Sequence, residues 1–345
     1  MPAVPGVKPG RGPAEFAPEV PPFMSKIPVL VLSKPEDPQT AKLEALRDYA
    51  DFTIGDSAAA LENAAVHARV ILNWSGSLAL FREIFVKSPA VRWVHSRSVG
   101  LERTLFPELI ASTATLTNGS GVFSPSLGEF ALAAILYFAK DFRRMVRNQM
   151  ADRWEAFDIE MISGKVLGIV GYGDIGRAVA SRAGAMGMKV LGLKRHASLS
   201  ERDPLVARLY GPESLIEMLG ECDYVIVATP LTAETRGLIS EAELRAMKKT
   251  SVIINVGRGP VIHEPSLIAA LSEHRIKGAA LDVFDQEPLP EGHPFYKLAN
   301  VLLSPHCADH TPDWLDNAMR FFVDQFHRFR RGEPLLNVVE KNLGY

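Results

Sequence analysis

The sequence predicts a two-domain α/β protein whose larger domain is built on a doubly wound parallel sheet. Three observations carry this. The chain has 345 residues, more than one ordinary core accommodates. Short apolar runs alternate with helix-length segments twice over, and the glycine pattern Gly171-Tyr172-Gly173-Asp174-Ile175-Gly176 stands at the first strand–helix junction of the second alternation.

The first alternation begins near Ile27. Val29–Leu32, Arg69–Asn73, Arg92–His95 and Ala114–Thr117 are short and apolar enough to be buried strands, which implies a small α/β domain with a parallel sheet. A long helix follows. Ser124 suits a cap, Pro125 the first helical position, and Leu127, Phe130, Ala131, Ala134, Ile135 and Phe138 fall on one face. The second alternation supplies strands at Val166–Val170, Lys189–Leu193, Tyr224–Ala228, Ser251–Val256, Gly278–Val283 and Val301–Leu303, with helix-length segments between most of them. In the tail, Leu315, Met319, Phe322, Phe326 and Phe329 share a helical face. The two amphipathic helices sit where the chain would pass between domains. The expected division is therefore 25–123 with 312–345 as one domain and 124–311 as a second, inserted domain. Residues 1–24 are rich in proline and poor in apolar surface, and read as a disordered extension, with a degenerate targeting peptide as the alternative.

Composition narrows the function classes. A net charge of -2 gives no reason to expect nucleic acid or an acidic membrane as partner. Two cysteines, Cys222 and Cys307, cannot make a disulfide framework, and no apolar run is long enough to span a bilayer. The chain begins without a secretory pattern, so a cytoplasmic protein is expected. No metal site is expected.

The glycine pattern follows an apolar strand and opens a helix, Ile175–Ala185, which is the context that makes it a dinucleotide fingerprint. Gly171 permits a tight turn, Gly173 lets backbone approach a pyrophosphate, and Gly176 lets the helix pack closely on its strand. The helix start, with Asp174 and Ile175, supplies amide donors. The next strand ends in Lys194-Arg195, where an NAD site usually carries an acidic residue. Cations there attract a ribose 2′-phosphate, so NADP(H) is expected over NAD(H), with NAD(H) still usable.

Three ionisable residues fall at or just past strand ends: Arg258, Glu287 and His306. In a doubly wound sheet these loops converge on the edge that holds the cofactor. Reduction of a 2-keto acid needs a cation for the carboxylate and the developing alkoxide, which Arg258 can supply. It also needs a proton donor active near neutrality, which His306 can supply, with Glu287 orienting its ring.

The stretches VLGIVGYGDIGRAVA, ATPLTAETRGLI, INVGRGPVI, GAALDVFDQEPLP and LSPHCADHT, with SVGLERTLFPELI and SPSLGEFALAAIL upstream, resemble those of D-isomer-specific 2-hydroxyacid dehydrogenases, glyoxylate/hydroxypyruvate reductases included. The resemblance covers about Pro28 to Leu336. It implies a Rossmann sheet inserted into a smaller flavodoxin-like substrate domain, a nicotinamide cofactor, a small 2-keto or 2-hydroxy acid substrate and a homodimer built mainly through the cofactor domain. It further implies that Arg258, Glu287 and His306 form the catalytic triad, with Arg258 and His306 touching both substrate and cofactor. Asp282 would hold the nicotinamide carboxamide, Thr229 and Pro230 would lie under the adenosine, and Val256, Gly257 and Ala308 would contact the nicotinamide half. Ser98, Val99 and Gly100 would cradle the substrate carboxylate, with Asn73 in a second substrate loop. Cys307, Asp309 and His310 depart from the residues usual beside the histidine. The same fold also serves dinucleotide-sensing co-repressors that keep the Arg, Glu and His. Such an interaction protein is the alternative, and the basic 2′-phosphate site favours the reductase.

Overall fold

The computed structural model describes residues 26–74, 77–102, 104–196 and 203–344. The expected extension at 1–24 lies outside the described residues, as do Ser75 and Gly76 of the second substrate loop. The chain divides into two compact units, Met1–Val122 with Pro312–Tyr345, and Phe123–Thr311.

The smaller unit carries strands β1 (Ile27–Leu32), β2 (Ala50–Gly55), β3 (Val70–Asn73), β4 (Trp93–Ser96) and β5 (Thr115–Asn118), all parallel in the order β2-β1-β3-β4-β5, the flavodoxin-like order. Helices α1 (Ala58–Ala65), α2 (Leu78–Val86) and α3 (Pro107–Ala111) bury Leu61, Phe81, Ile84 and Leu109 in a core shared with Leu30, Ile71 and Val94 of the strands. Strand β2 was not anticipated. It is an edge strand whose half-exposed middle, with Asp51 and Thr53, breaks the apolar run that marks a buried strand. The expected strand bounds are corrected by one or two residues. β1 starts at Ile27 rather than Val29 because the Ile27 N–H donates to the Tyr49 carbonyl. β4 and β5 extend to Ser96 and Asn118 because the ladder pairs Asn73 with Ser96 and Ser96 with Asn118, polar residues an apolar pattern leaves out.

The tail helix α10 (Trp314–Arg331) belongs to this unit. Met319, Phe322 and Phe326 are fully buried, and the Trp93 ring stacks on Phe322 at 5.3 Å. Gln325, a polar residue on the buried side, is satisfied by a reciprocal pair of bonds with the Leu336 backbone, 2.6 and 3.0 Å.

The larger unit holds α4 (Ser124–Ala139), α5 (Phe142–Met150), β6 (Val166–Val170), α6 (Asp174–Ala185), β7 (Lys189–Leu193), β8 (Arg208–Tyr210), α7 (Leu215–Glu221), β9 (Tyr224–Val227), α8 (Glu241–Ala246), β10 (Val252–Asn255), α9 (Glu264–Ser272), β11 (Gly278–Leu281) and β12 (Val301–Leu303). Its parallel sheet runs β12-β11-β10-β9-β6-β7-β8. The chain starts at β6, winds outward through β7 and β8, then returns to β9 on the other side of β6. The β6/β9 boundary is thus the topological switch point, beyond whose strand ends doubly wound folds bind their ligands. Strand β8 was not anticipated, since three residues opening on an arginine carry little apolar signal. Three expected strands end earlier than read, at Val227, Asn255 and Leu281, because the register lines up Val170, Val227, Asn255, Leu281 and Leu303 as one edge. Buried residues beyond it, such as Val256 and Val283, lie in loops. Helix α4 has Phe123 rather than Ser124 at its cap, so Pro125 is its second residue, where its missing N–H is equally harmless. Helix α6 begins at Asp174, one residue earlier than read. Among the described residues no helix is long and apolar enough to cross a membrane.

In the smaller unit His95 is 1% exposed, its Nδ1 2.8 Å from the Thr117 hydroxyl, and burial lowers its pKa from 6.5 to about 3. The folded chain keeps this ring neutral, whereas the unfolded chain protonates it below about pH 6.5. Stability from His95 is therefore complete above pH 6.5 and lost as pH falls toward 3. Chemical unfolding followed at pH 7 and pH 5 should show His95 contributing up to about 1.4 kcal/mol of loss per pH unit. The slope should be shallower in His95→Gln, and equal slopes would contradict this account.

Candidate active site

Every loop that matters in the larger unit starts from the aligned strand edge. After β6, Gly171 has φ +94°, and a Cβ there would lie 2.6 Å from the Thr229 backbone nitrogen. The first loop can therefore press against the loop after β9 only because residue 171 is glycine. Gly176 packs α6 onto β6, where a Cβ would come 3.0 Å from Ile169. Gly173 is different. It caps α6, it is exposed, and an added Cβ would meet nothing within 4 Å. The structure thus leaves open space at the N-terminus of a helix, whose dipole and first-turn amides suit the pyrophosphate of a dinucleotide.

The next strands place the rest. Thr229 and the exposed Pro230 follow β9. After β10, the buried Asn255 braces the turn from inside: its side-chain oxygen accepts from Gly257 N at 3.0 Å and its amide donates to the Arg258 carbonyl at 3.1 Å. Val256 is 4% exposed, and its N–H donates to the Val227 carbonyl. Arg258 is partly exposed and donates from Nη1 to the Gly257 carbonyl at 2.8 Å. Gly259 lies so close to the Phe284 carbonyl that any side chain would overlap it, which joins the Arg258 turn to the loop after β11.

That loop begins with Asp282, 2% exposed. One oxygen, Oδ1, accepts from Ser304 Oγ at 2.6 Å, Cys307 N at 2.9 Å and Ala308 N at 3.1 Å, while the main-chain carbonyl of Asp282 accepts from His306 N at 2.9 Å. Asp282 therefore fixes both ends of the segment carrying His306. The segment needs fixing, because His306 has φ +52°, a conformation few non-glycine residues adopt. Ser126 of α4 adds a further tie, its hydroxyl donating to the Ala308 carbonyl at 2.8 Å.

Glu287 completes the group. Its Oε1 accepts from Phe284 N at 3.0 Å, and Oε2 lies 2.7 Å from His306 Nδ1. An ionised carboxylate only accepts, so Nδ1 carries the hydrogen, leaving Nε2 as the nitrogen that exchanges a proton. The His306 side chain is 46% exposed, open to a substrate or to water. Beside it, burial pushes the Asp309 carboxyl above its usual range, opposed by His310 with Nε2 3.7 Å away.

Lys194 and Arg195 follow β7, and Arg195 is ion-paired with Glu234. In the smaller unit, Asn73 ends β3 and Ser98–Gly100 follow β4, so both lie on the carboxyl edge of neighbouring strands. Asn73 is 3% exposed, and its side-chain oxygen has no partner among the described residues. Ser126, Asn255, Ser304 and Glu234 were not foreseen as site residues. Asn255 and Ser304 bear a faint signal, a polar residue at the end of an apolar strand; Ser126 and Glu234 bear none.

An open helix start at the topological switch point, with a carboxylate-held imidazole and an arginine on loops that leave the same strand edge, defines a dinucleotide-dependent oxidoreductase. Residues 132–308 match the family model described as D-isomer specific 2-hydroxyacid dehydrogenase, NAD binding domain. The chain is 34% identical over 269 residues to a glyoxylate reductase of Korarchaeum cryptofilum, covering 76% of this chain and 80% of that protein. A glyoxylate reductase of Thermococcus kodakarensis is 32% identical over 272 residues, with the same shares covered. Among solved structures, a D-isomer specific 2-hydroxyacid dehydrogenase from Xanthobacter autotrophicus Py2, in complex with NADPH and MES, superposes with a TM-score of 0.79 at 28% identity, covering 93% of this chain and 100% of that one. An NADPH-dependent glyoxylate/hydroxypyruvate reductase from Sinorhizobium meliloti, in complex with NADP and sulfate, gives 0.79 at 25% identity over the same shares. The chain belongs to the D-isomer-specific 2-hydroxyacid dehydrogenase family, and is an NAD(P)-dependent oxidoreductase.

The glycines separate fold from binding. Gly171→Ala should destabilise the chain, since its Cβ meets backbone in a left-handed turn. Gly173→Val should melt within a few degrees of wild type yet bind NADH and NADPH at least about tenfold more weakly, by blocking the amides. Thermal melting with fluorescence titration checks both, and wild-type affinity in Gly173→Val would contradict the placement.

Proposed function

We propose that this protein reduces a small 2-keto acid of the glyoxylate or hydroxypyruvate type to the D-2-hydroxy acid. The single observation that carries the reading is the His306–Glu287 pair, 2.7 Å apart, on a loop clamped by Asp282 next to the Arg258 turn. Reduced nicotinamide supplies a hydride to the carbonyl carbon when bound. Arg258 binds the substrate carboxylate and the carbonyl oxygen, fixing the substrate before reaction and stabilising charge as the oxygen becomes an alkoxide. His306 delivers its Nε2 proton to that oxygen and is reprotonated from solvent, while Glu287 holds the ring in the productive tautomer and stabilises its charged form. Gly171, Gly173, Asp174, Ile175, Gly176, Thr229, Pro230, Val256, Gly257, Asp282 and Ala308 contact the dinucleotide. Ser98, Val99 and Gly100 are assigned to the substrate carboxylate, and Asn73 to a second substrate loop.

NADP(H) is the preferred cofactor in this reading, supported by Lys194 and Arg195 where the next strand ends. The working form is a cytoplasmic homodimer. Support for the dimer comes from one segment of the larger unit in which Met150, Trp154, Ile159 and Met161 are all exposed, Trp154 completely, large apolar side chains that a partner would take out of water.

Assay of the purified chain with glyoxylate and hydroxypyruvate, each with NADPH and with NADH, tests the reading. Turnover is expected with both acids. His306→Asn should cut kcat by about 10²–10⁴-fold, and Arg258→Ala should damage both KM and kcat. A chain that binds dinucleotide but turns over no 2-keto acid would contradict the reading.

A further inference from the structure

The loop after β9 does more than lie beside the glycine turn. Pro230 to Arg236 is a compact turn held by its own bonds: Thr232 N donates to Thr235 Oγ1 at 2.7 Å, and Thr235 Oγ1 to the Pro230 carbonyl at 2.6 Å. This turn presents Glu234, whose Oε2 accepts from Thr232 Oγ1 at 3.1 Å and from Arg195 Nη2 at 2.7 Å. A carboxylate borrowed from a neighbouring loop thus sits on the arginine at the end of β7.

A second arginine nearby shows how different a permanent pairing looks. Arg177 of α6 is paired with Asp203, whose side chain is 5% exposed and also accepts from the Tyr172 hydroxyl at 3.0 Å and from Leu205 N at 3.1 Å. That carboxylate is enclosed and committed. Glu234 is 73% exposed, so its ion pair is screened by water and easily given up.

We infer that Glu234 is a displaceable counter-ion for Arg195 that sets how strongly the chain discriminates NADP(H) from NAD(H). The inference rests on the NADP(H) reading above. A 2′-phosphate carries the same kind of charge as the carboxylate it must replace, and both seek the same guanidinium. An exposed ion pair holds an equilibrium back by at most about fivefold, whereas a charge-assisted bond to phosphate contributes about ten- to a hundredfold. The phosphate therefore wins, at a discount set by Glu234. An unphosphorylated ribose makes no such demand, and NADH binds with the pair intact. Glu234 keeps NADH competitive in a site whose strand end lacks the usual acidic residue.

Binding of NADPH and NADH, titrated by fluorescence on the full chain, tests this in wild type, Glu234→Gln, Arg195→Ala and the double variant. Glu234→Gln should bind NADPH about two- to fivefold more tightly and NADH as wild type does. Arg195→Ala should lose about tenfold or more in NADPH affinity and little for NADH, and adding Glu234→Gln to it should then change nothing. If Arg195→Ala is selective for NADPH but Glu234→Gln leaves NADPH binding unchanged or weaker, Glu234 merely orients the arginine and this inference alone falls. A gain from Glu234→Gln that persists without Arg195 overturns it too. If Arg195→Ala leaves NADPH binding untouched, the 2′-phosphate reading fails and takes the inference with it.

Discussion

Three donors converge on one oxygen of Asp282, a carboxylate almost wholly removed from water. Burying an ionised carboxylate costs several kcal/mol unless hydrogen bonds compensate, and charge-assisted bonds contribute about 1.5–3 kcal/mol each. The two requirements lock together. The carboxylate needs the amides of Cys307 and Ala308 and the hydroxyl of Ser304, and those groups can reach it only if the chain between them adopts a tight path. On that path His306 takes a left-handed backbone, and its ring is delivered to Glu287. A residue expected to hold the nicotinamide carboxamide is, in this fold, also the residue that positions the imidazole.

The clamp works because the sheet brings its parts to one line. Val170, Val227, Asn255, Leu281 and Leu303 end the central strands together, so the loops that follow leave from neighbouring points. Close approach between those loops depends on absent side chains: Gly171 against Thr229, and Gly259 against Phe284. Rigid strands fix where each loop starts, buried polar residues such as Asn255 fix how it turns, and the ionisable groups are left exposed enough to meet a ligand.

Much of this was legible because the governing signals are local. An apolar strand, a glycine pattern and a helix in succession identify the β6–α6 junction without help from the rest of the chain. Arg258, Glu287 and His306 stand out as ionisable residues just past apolar runs. Sequence periodicity failed where burial is partial: β2 is an edge strand with a half-exposed middle, and β8 is three residues long. Strand ends were misplaced because a ladder stops where its neighbours stop, which no single strand's sequence records. The braces were hidden for another reason. Ser126 and Ala308 are 182 positions apart, and Arg195 and Glu234 are 39 apart. Such pairings are properties of the folded chain, and a serine or glutamate gives no sign of its distant partner.

Asp282 acts through His306, and the comparison of Asp282→Ala with Asp282→Asn tests that most directly. Asparagine keeps an acceptor for the Ser304, Cys307 and Ala308 donors, while alanine leaves all of them unpaired. With dinucleotide held at saturation, kcat for 2-keto acid reduction should fall about a hundredfold in Asp282→Ala, the scale expected when a reacting group is misplaced by about 1 Å. Asp282→Asn should retain a substantial part of it. Equal rates in the alanine variant and the wild type, once cofactor is saturating, would mean that the His306 loop holds its shape without the carboxylate, and would contradict the account.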